Sequence, residues 1–342
     1  MIPRINWLAD APDDTFGVEE EFYLVDPSTG DLADRARDIV GEADAPDLET
    51  EALQCTVESS TPACRDAEEC LEILTQQRAV LVERAAALGL ELHAAGVPPM
   101  LRRDEIRERF DPDHPEVQFV ESVAAMAELD IFACHGIHVH VGIASWSDAL
   151  TVTNAFMSQL PLLTAITANS RANAFGADAA SLRTGLLLRS PMVGSTPRFD
   201  DVRDMEHATL ESAPDRSGHP RPRWIIAPVP HYGTVEARAF DAHADVRVAH
   251  ELALLLRALA DAALRGAPLH RPSDWIERKN LRHAWSRGTH AMYLDADGVV
   301  QSIASGWGKL MSTLRNRECS HEFPALDALA TVDESPRPTV VT

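Results

Sequence analysis

Three segments alternate between apolar and polar residues, and this pattern limits the fold more than any other feature of the chain. They are GVEEEFYLV at 17–25, GIHVHVGI at 136–143 and YGTVEARAFD at 232–241. Successive side chains of a β-strand point to opposite faces, so each segment is predicted to be a strand with one apolar face. The opposite faces carry the charged and imidazole side chains of Glu19, Glu21, His138, His140, Glu236 and Arg238. If the strands are neighbours, these side chains line one cavity while the apolar faces cover a core.

Helical spacing and turn residues organise the rest of the chain. They predict helices at 66–88, 115–129, 146–168 and 245–265, and a further strand at 90–97. Segment 101–115 is predicted to be a loop or lid, and 171–223 to be loops with short helices. No internal repeat divides the sequence. A single domain over 1–342 is therefore predicted, with its core at about 15–290 and a flexible polar tail from about 320.

Charge is the strongest signal in the composition. The 342 residues include 53 Asp and Glu against 31 Lys and Arg, a net charge of −22, and Lys279 and Lys309 are the only lysines. A chain with this negative charge repels nucleic acid and anionic membranes. Neither is therefore expected as a partner. An acidic, lysine-poor surface is typical of proteins that stay soluble in concentrated salt, which predicts a halophilic source. No apolar run of about 20 residues is present, and a cytoplasmic location is expected.

The cysteines indicate neither a disulfide framework nor a zinc knuckle. Five of them are spread along the chain without a C-x-x-C pair: Cys55, Cys64, Cys70, Cys134 and Cys319. Reduced thiols that pack as small apolar groups are expected.

The carboxylates of the alternating strands, with Glu51 and Glu58 of ETEALQCTVESST, are candidate metal ligands. Closely spaced carboxylates repel one another in a cavity, and hard cations relieve that repulsion. A donor set of many oxygens with few imidazoles suits Mg²⁺ or Mn²⁺ better than Zn²⁺. Arg238, two residues after Glu236, is placed to meet a phosphate group that such metals bring in. Each segment taken alone also fits a solvated edge strand or a structural histidine.

Four motifs occur in an order that resembles a known family: GVEEEF, the Glu51 and Glu58 pair, GIHVHVG and HYGTVEARAFD. The chain is similar to glutamate–cysteine ligase family 2 and the related carboxylate–amine ligases of the glutamine synthetase-like superfamily. The resemblance implies an α+β fold, in which a bent antiparallel sheet forms a funnel backed by helices. It also implies that ATP enters one end of the funnel and the other substrates enter the opposite end.

The resemblance further implies roles for individual residues. One metal is expected on Glu21, Glu51 and Glu58, and the other on Glu19, His138 and Glu236. Arg238 and Glu236 are expected to act in catalysis, and Arg238 and Arg183 to contact ATP. Weaker matches imply substrate contacts from His140, Asn280 and Arg287. The implied reaction activates a carboxylate with ATP as an acyl phosphate, from which an amine displaces phosphate; in this branch the substrates are glutamate and cysteine.

Two departures from the family pattern fall at the expected amino-acid end. Relatives carry G-T-H-P where this chain has GVPP at 96–99, and W-D-I-R-P where it has WIIAP at 224–228. The replaced positions are Val97, Pro98, Ile225 and Ala227. Three hypotheses therefore stay open beside glutamate–cysteine ligation: a ligase for another amino acid or amine, a binding or regulatory paralogue, and a zinc hydrolase using His138 and His140. The sequence does not define the oligomeric state, and a homodimer is one candidate.

Overall fold

The computed structural model describes residues 7, 14–41, 47–115, 117, 129–171, 173, 175–190, 192–213, 218–295, 297–317, 319–331 and 337–342. Most of the helix predicted at 115–129 lies outside these ranges. Where strands are described, they form an antiparallel sheet of seven strands and a separate two-stranded hairpin. The predicted α+β class with an antiparallel sheet backed by helices is thus confirmed.

The three alternating segments are adjacent strands at the centre of the large sheet. Its strands are β1 (Phe16–Val25), β2 (Leu48–Thr50), β3 (Thr56–Ser60), β4 (Glu91–His93), β5 (Gly136–Gly142), β6 (Ile226–Val229) and β7 (Thr234–Asp241). Their order is β2-β3-β1-β5-β7-β6, and β4 pairs with the end of β1. β1, β5 and β7 therefore lie side by side, so their polar faces can line one cavity. The hairpin consists of β8 (Met292–Leu294) and β9 (Val300–Ser302).

Nine helices accompany the sheet within the described residues. They are α1 (Ala36–Val40), α2 (Ala67–Ala87), α3 (Trp146–Ile166), α4 (Leu182–Leu187), α5 (Val202–Leu210), α6 (Val246–Leu264), α7 (Asp274–Arg287), α8 (Ile303–Arg315) and α9 (Pro324–Thr331). Helices α2, α3 and α6 cover the apolar side of the sheet, and they match their predictions to within two residues. Asp66 accepts hydrogen bonds from two backbone N–H groups at the start of α2, and a left-handed Gly89 follows its end.

Helix α3 runs through the main apolar core. Phe156, Leu160 and Leu163 are buried there with Val139 and Ala237 of the sheet. Among the described residues it alone is long and apolar enough to cross a membrane, but 72% of its most apolar window is buried inside the protein. Its composition is therefore explained by core packing.

Glu20 lies on the apolar face of β1, between the two candidate ligands. Arg78 of α2 donates two hydrogen bonds to its carboxylate, from Nε at 3.0 Å and from Nη2 at 2.5 Å. Both side chains are almost fully buried. The guanidinium also donates to the carbonyl oxygens of His243 and Ala244, so each charge is paired and hydrogen-bonded.

Two segments near the end of the chain contact the rest of the fold. Helix α9 is held at its N-terminus by the buried Glu251 of α6, whose carboxylate accepts the N–H groups of Ala325 and Leu326, each at 2.9 Å. Further on, the N–H of Val341 donates to Leu92 O of β4 at 2.9 Å. These segments bury apolar side chains against the core, and the flexible tail from about 320 stays a prediction.

Candidate active site

Strand register brings the predicted ligands together on the polar face of the sheet. Glu19 pairs with His138 across β1 and β5, and Glu21 with Glu58 across β1 and β3. His140 pairs with Glu236 across β5 and β7. Directly opposite side chains in an antiparallel sheet share one face and lie close together. The alternation pattern thus becomes a continuous acidic surface.

Glu21, Glu51 and Glu58 form one cluster, as the family resemblance implies. They can each present one carboxylate oxygen such that all three lie within 4.8 Å of one another. Glu21 also accepts a hydrogen bond from the N–H of Gly136. Burial, together with the negative charges of Glu19, Glu51 and Glu21, raises the pKa of Glu58 well above its usual range. A cation among these oxygens would remove that repulsion.

A second cluster contains Glu19 and Glu236, and its geometry differs in one residue from the expected set. His140, rather than His138, forms the group whose ligand atoms lie within 4.8 Å, while His138 groups with Glu19 and Glu58. His138 is engaged on both sides: Arg183 Nη2 donates to its Nε2 at 3.2 Å, and its Nδ1–H donates to Glu19 at 2.9 Å. Alternation alone could not separate the two histidines, because both lie on the same face.

His140 is well placed to bind a cation. Its Nδ1 is hydrogen-bonded to Thr234 Oγ1 at 2.9 Å, which orients the ring. Its Nε2 is buried and makes no hydrogen bond within the described ranges, although Glu19 Oε1 lies 3.3 Å away. Carboxylate oxygens, here those of Glu19 and Glu236, are the donors that Mg²⁺ and Mn²⁺ prefer, and His140 adds a single nitrogen to this set. The residues therefore fit the implied metals.

Glu236 is the most enclosed carboxylate of the site. Its side chain is 0% exposed, and Arg238 Nη2 lies 2.6 Å from its Oε1. Burial by itself would raise the pKa of Glu236, but the charges of Arg238 and Arg221 hold it at about 2. The group is thus an anion at neutral pH, the state in which a carboxylate binds a cation.

Arg183 fixes the backbone of Arg238 on the polar side of the sheet. Its Nη1 donates to the carbonyl oxygen of Arg238 at 2.7 Å, and the residue is 2% exposed. A Cβ atom at Gly136 would come within 2.1 Å of the Arg183 guanidinium, so the glycine makes room for it. Arg183 was implied only by resemblance, since its segment shows no periodic pattern.

Two further arginines of the site were not predicted from the sequence. Arg221 Nη2 lies 3.4 Å from Glu236 Oε2 and 3.8 Å from Glu19 Oε1. Arg223 lines the adjoining cavity. Both belong to the segment predicted as loop, where no spacing rule relates a side chain to the distant strands.

A cavity of about 100 Å³ opens beside the first cluster. Its polar lining includes Glu21, Glu51, His135, His138, Arg183, Arg223 and Arg238, and its apolar lining includes Leu53, Ile131, Phe132, Leu187 and Val193. Burial lowers the pKa of His135 to about 4, so this imidazole is neutral. The cavity therefore combines anion-binding guanidinium groups with an apolar wall.

The positions that depart from the family pattern do not line this cavity. Val97, Ile225 and Ala227 are buried in the apolar clusters or the sheet. Ala227 stands opposite Glu236 in the register of β6 and β7. The strand next to Glu236 therefore offers only a methyl group at this point.

Two residues assigned weakly to the substrate side lie elsewhere. The Asn280 side chain donates to Leu294 O at 2.7 Å and accepts from Leu294 N at 2.9 Å, which joins α7 to the β8–β9 hairpin. Arg287 is exposed at the end of α7. Neither contacts the two carboxylate clusters or lines the cavity described above.

The fold is shared with solved ligases. A glutamate–cysteine ligase from Francisella tularensis, determined in complex with AMP, superposes with a TM-score of 0.64 at 14% identity. The match covers 94% of this chain and 83% of that protein. At this identity the likeness defines the class of fold alone.

The sequence comparisons are more specific. The model of glutamate–cysteine ligase family 2 matches residues 15–328. A glutamate–cysteine ligase of Haloferax volcanii is 30% identical over 310 residues, covering 85% of this chain and 84% of the relative. A protein of Thermobifida fusca, provisionally named glutamate–cysteine ligase 2, is 30% identical over 321 residues, covering 88% and 78%. The chain belongs to glutamate–cysteine ligase family 2, and it is accordingly a ligase.

Proposed function

We propose that this protein forms an amide between glutamate and cysteine at the expense of ATP. The observation that carries the proposal is the pair of carboxylate clusters on adjacent strands, with Arg238 between Glu236 and the cavity. Such a site brings cations and a guanidinium group to one place, which phosphoryl transfer requires. The names of the curated relatives supply the substrates.

The reaction is proposed to proceed in two steps. A glutamate carboxylate oxygen attacks the γ-phosphorus of ATP, the bond to the bridging oxygen breaks, and ADP leaves. The amine nitrogen of cysteine then attacks the acyl carbon, the carbon–oxygen bond breaks, and phosphate leaves while the nitrogen loses one proton. Without the first step the carboxylate is inert towards an amine.

The residues of the site act by holding charge in position. The two clusters would hold Mg²⁺ or Mn²⁺, which would supply positive charge to the phosphate oxygens. Glu236 and Arg183 orient Arg238, whose guanidinium neutralises the transferred phosphoryl group. Arg223 and Arg183 offer donors to substrate carboxylates in the cavity.

A second candidate is ligation of glutamate to another amine. It is favoured by the apolar wall of Leu53, Ile131 and Phe132, which would accept side chains other than that of cysteine. A panel of amines offered with glutamate, ATP and Mg²⁺ separates the two, with ADP release and the mass of the amide as readouts. Preference for cysteine supports the first candidate; a better rate with a different amine supports the second. Failure to form any amide from glutamate would contradict both.

A further inference from the structure

Arg221 belongs to no strand of the sheet, but its side chain reaches the second cluster. It lies in the segment that precedes β6, and its guanidinium approaches both Glu236 and Glu19, at 3.4 and 3.8 Å. The side chain is 23% exposed, and its Nε is buried without a hydrogen bond among the described residues. These distances are longer than the 2.6 Å contact of Arg238 with the same carboxylate. Arg221 is therefore held by charge more than by tight hydrogen bonds.

The two arginines lie on different sides of Glu236. Arg238 and His138 line the cavity, whereas Arg221 and His140 are absent from its described lining. The Arg221 guanidinium instead lies 6.0 Å from the ring centre of Tyr232, which is itself 6.1 Å from the ring of His140. Tyr232 is 50% exposed, so this side of the site is accessible from solvent.

Arg221 and a cation would compete for the same two carboxylates. Glu19, His140 and Glu236 form the group that fits a divalent ion, and Arg221 is directed at two of its three members. With such an ion bound, Glu19 and Glu236 would turn their charge towards the metal, and Arg221 would lose them as its partners. Its guanidinium would then lie beside the metal, where a chain of phosphates on that metal offers it anionic oxygens.

We propose that Arg221 is a further nucleotide-binding residue, which pairs with Glu19 and Glu236 until a cation enters and then contacts the phosphate chain of the nucleotide. It acts on the solvent-facing side of Glu236, and Arg238 acts on the cavity side. The inference rests on the proposed use of ATP. It assigns to one residue both a counter-ion role and a substrate contact.

Direct binding measurements on the full chain test this assignment. Arg221→Gln is compared with Arg203→Gln, a change at an exposed arginine of α5. ADP binding in the presence of Mn²⁺ should weaken about tenfold in Arg221→Gln, as expected for loss of a charge-assisted hydrogen bond. Mn²⁺ binding without nucleotide should tighten by at least about threefold, because a competing charge is gone. Arg221→Lys should restore part of the ADP affinity.

The possible failures can be told apart. If Arg221→Gln binds ADP like the wild type, or if it binds Mn²⁺ alone more weakly, the role of Arg221 is overturned. An Arg203→Gln variant with the same defects would show a general charge effect and would also overturn it. A wild type that binds neither Mn²⁺ nor ADP contradicts the proposed function itself, and the inference falls with it.

Discussion

Glu236 combines complete burial with contacts to two arginines, and its negative charge is the property that the proposed chemistry needs. Glu236→Gln keeps the shape of the side chain but removes the charge, and Arg238→Ala removes the group it orients. Either change should lower turnover by at least about a hundredfold, the effect of losing one preorganised charge contact. Glu83→Gln, at an exposed position of α2, is the matched control. Near-normal rates in either site variant, with unchanged circular dichroism, would contradict the metal–phosphate account.

His243 makes the stability of the fold depend on pH. His243 is buried, and its Nε2–H donates to Thr167 O at 2.9 Å. Burial lowers the pKa of His243 from 6.5 to about 3. Between these two pH values the imidazole is protonated in the unfolded chain and neutral in the folded chain. The neutral His243 side chain therefore makes its full contribution to the free energy of unfolding above about pH 6.5, and this contribution is lost as the pH falls.

His243→Gln should therefore flatten the dependence of the unfolding free energy on pH in that window, by up to about 1.4 kcal/mol per pH unit. Urea titrations at several pH values provide the measurement. His283→Gln, at an exposed histidine of α7, is the control. Equal slopes for the His243 variant and the wild type would contradict the prediction.

At the scale of residues, the sequence predicted those site members that belong to alternating strands. Glu19, Glu21, His138 and Glu236 could be found because a period of two places them on one face, whatever the details of packing. Arg221 and Arg223 could not, since their positions depend on the path of an irregular segment. The choice between His138 and His140 likewise depended on Arg183, whose contact with His138 crosses 45 residues of chain.

At the scale of elements, α9 shows how a terminal helix is attached. The Glu251 carboxylate satisfies the first N–H groups of the helix, while Phe323 and Leu326 are buried against the core. Glu251→Ala should lower the free energy of unfolding by about 1–2 kcal/mol, as for the loss of a helix N-cap. Thermal denaturation beside Glu322→Ala, at an exposed neighbouring carboxylate, measures the effect. An unchanged midpoint for Glu251→Ala would contradict this attachment.

Long elements were easier to predict than short ones. Helices α2, α3 and α6 are each at least 19 residues long and carry enough apolar residues to be recognised. Helix α4 has six residues and depends on a hydrogen bond from Thr184 N to Ser181 and on burial against α7. Short helices take most of their stability from tertiary packing, which local sequence does not report.

At the scale of the whole molecule, the net charge of −22 should make stability depend on salt. Acidic side chains repel one another in the folded state, and at about 1 M salt the Debye length shrinks to about 3 Å. The thermal midpoint should therefore rise with NaCl. Sucrose of equal osmolality serves as the control for solvent exclusion. A midpoint that is constant or falls with NaCl would contradict the predicted adaptation to salt.

The central claim is that the carboxylate clusters and Arg238 transfer a phosphoryl group to a substrate carboxylate. The most direct measurement follows ¹⁸O from the carboxylates of labelled glutamate during turnover with ATP, Mg²⁺ and cysteine. An acyl phosphate intermediate predicts that the inorganic phosphate carries one ¹⁸O atom, visible by mass spectrometry. Amide formation with unlabelled phosphate would contradict the account.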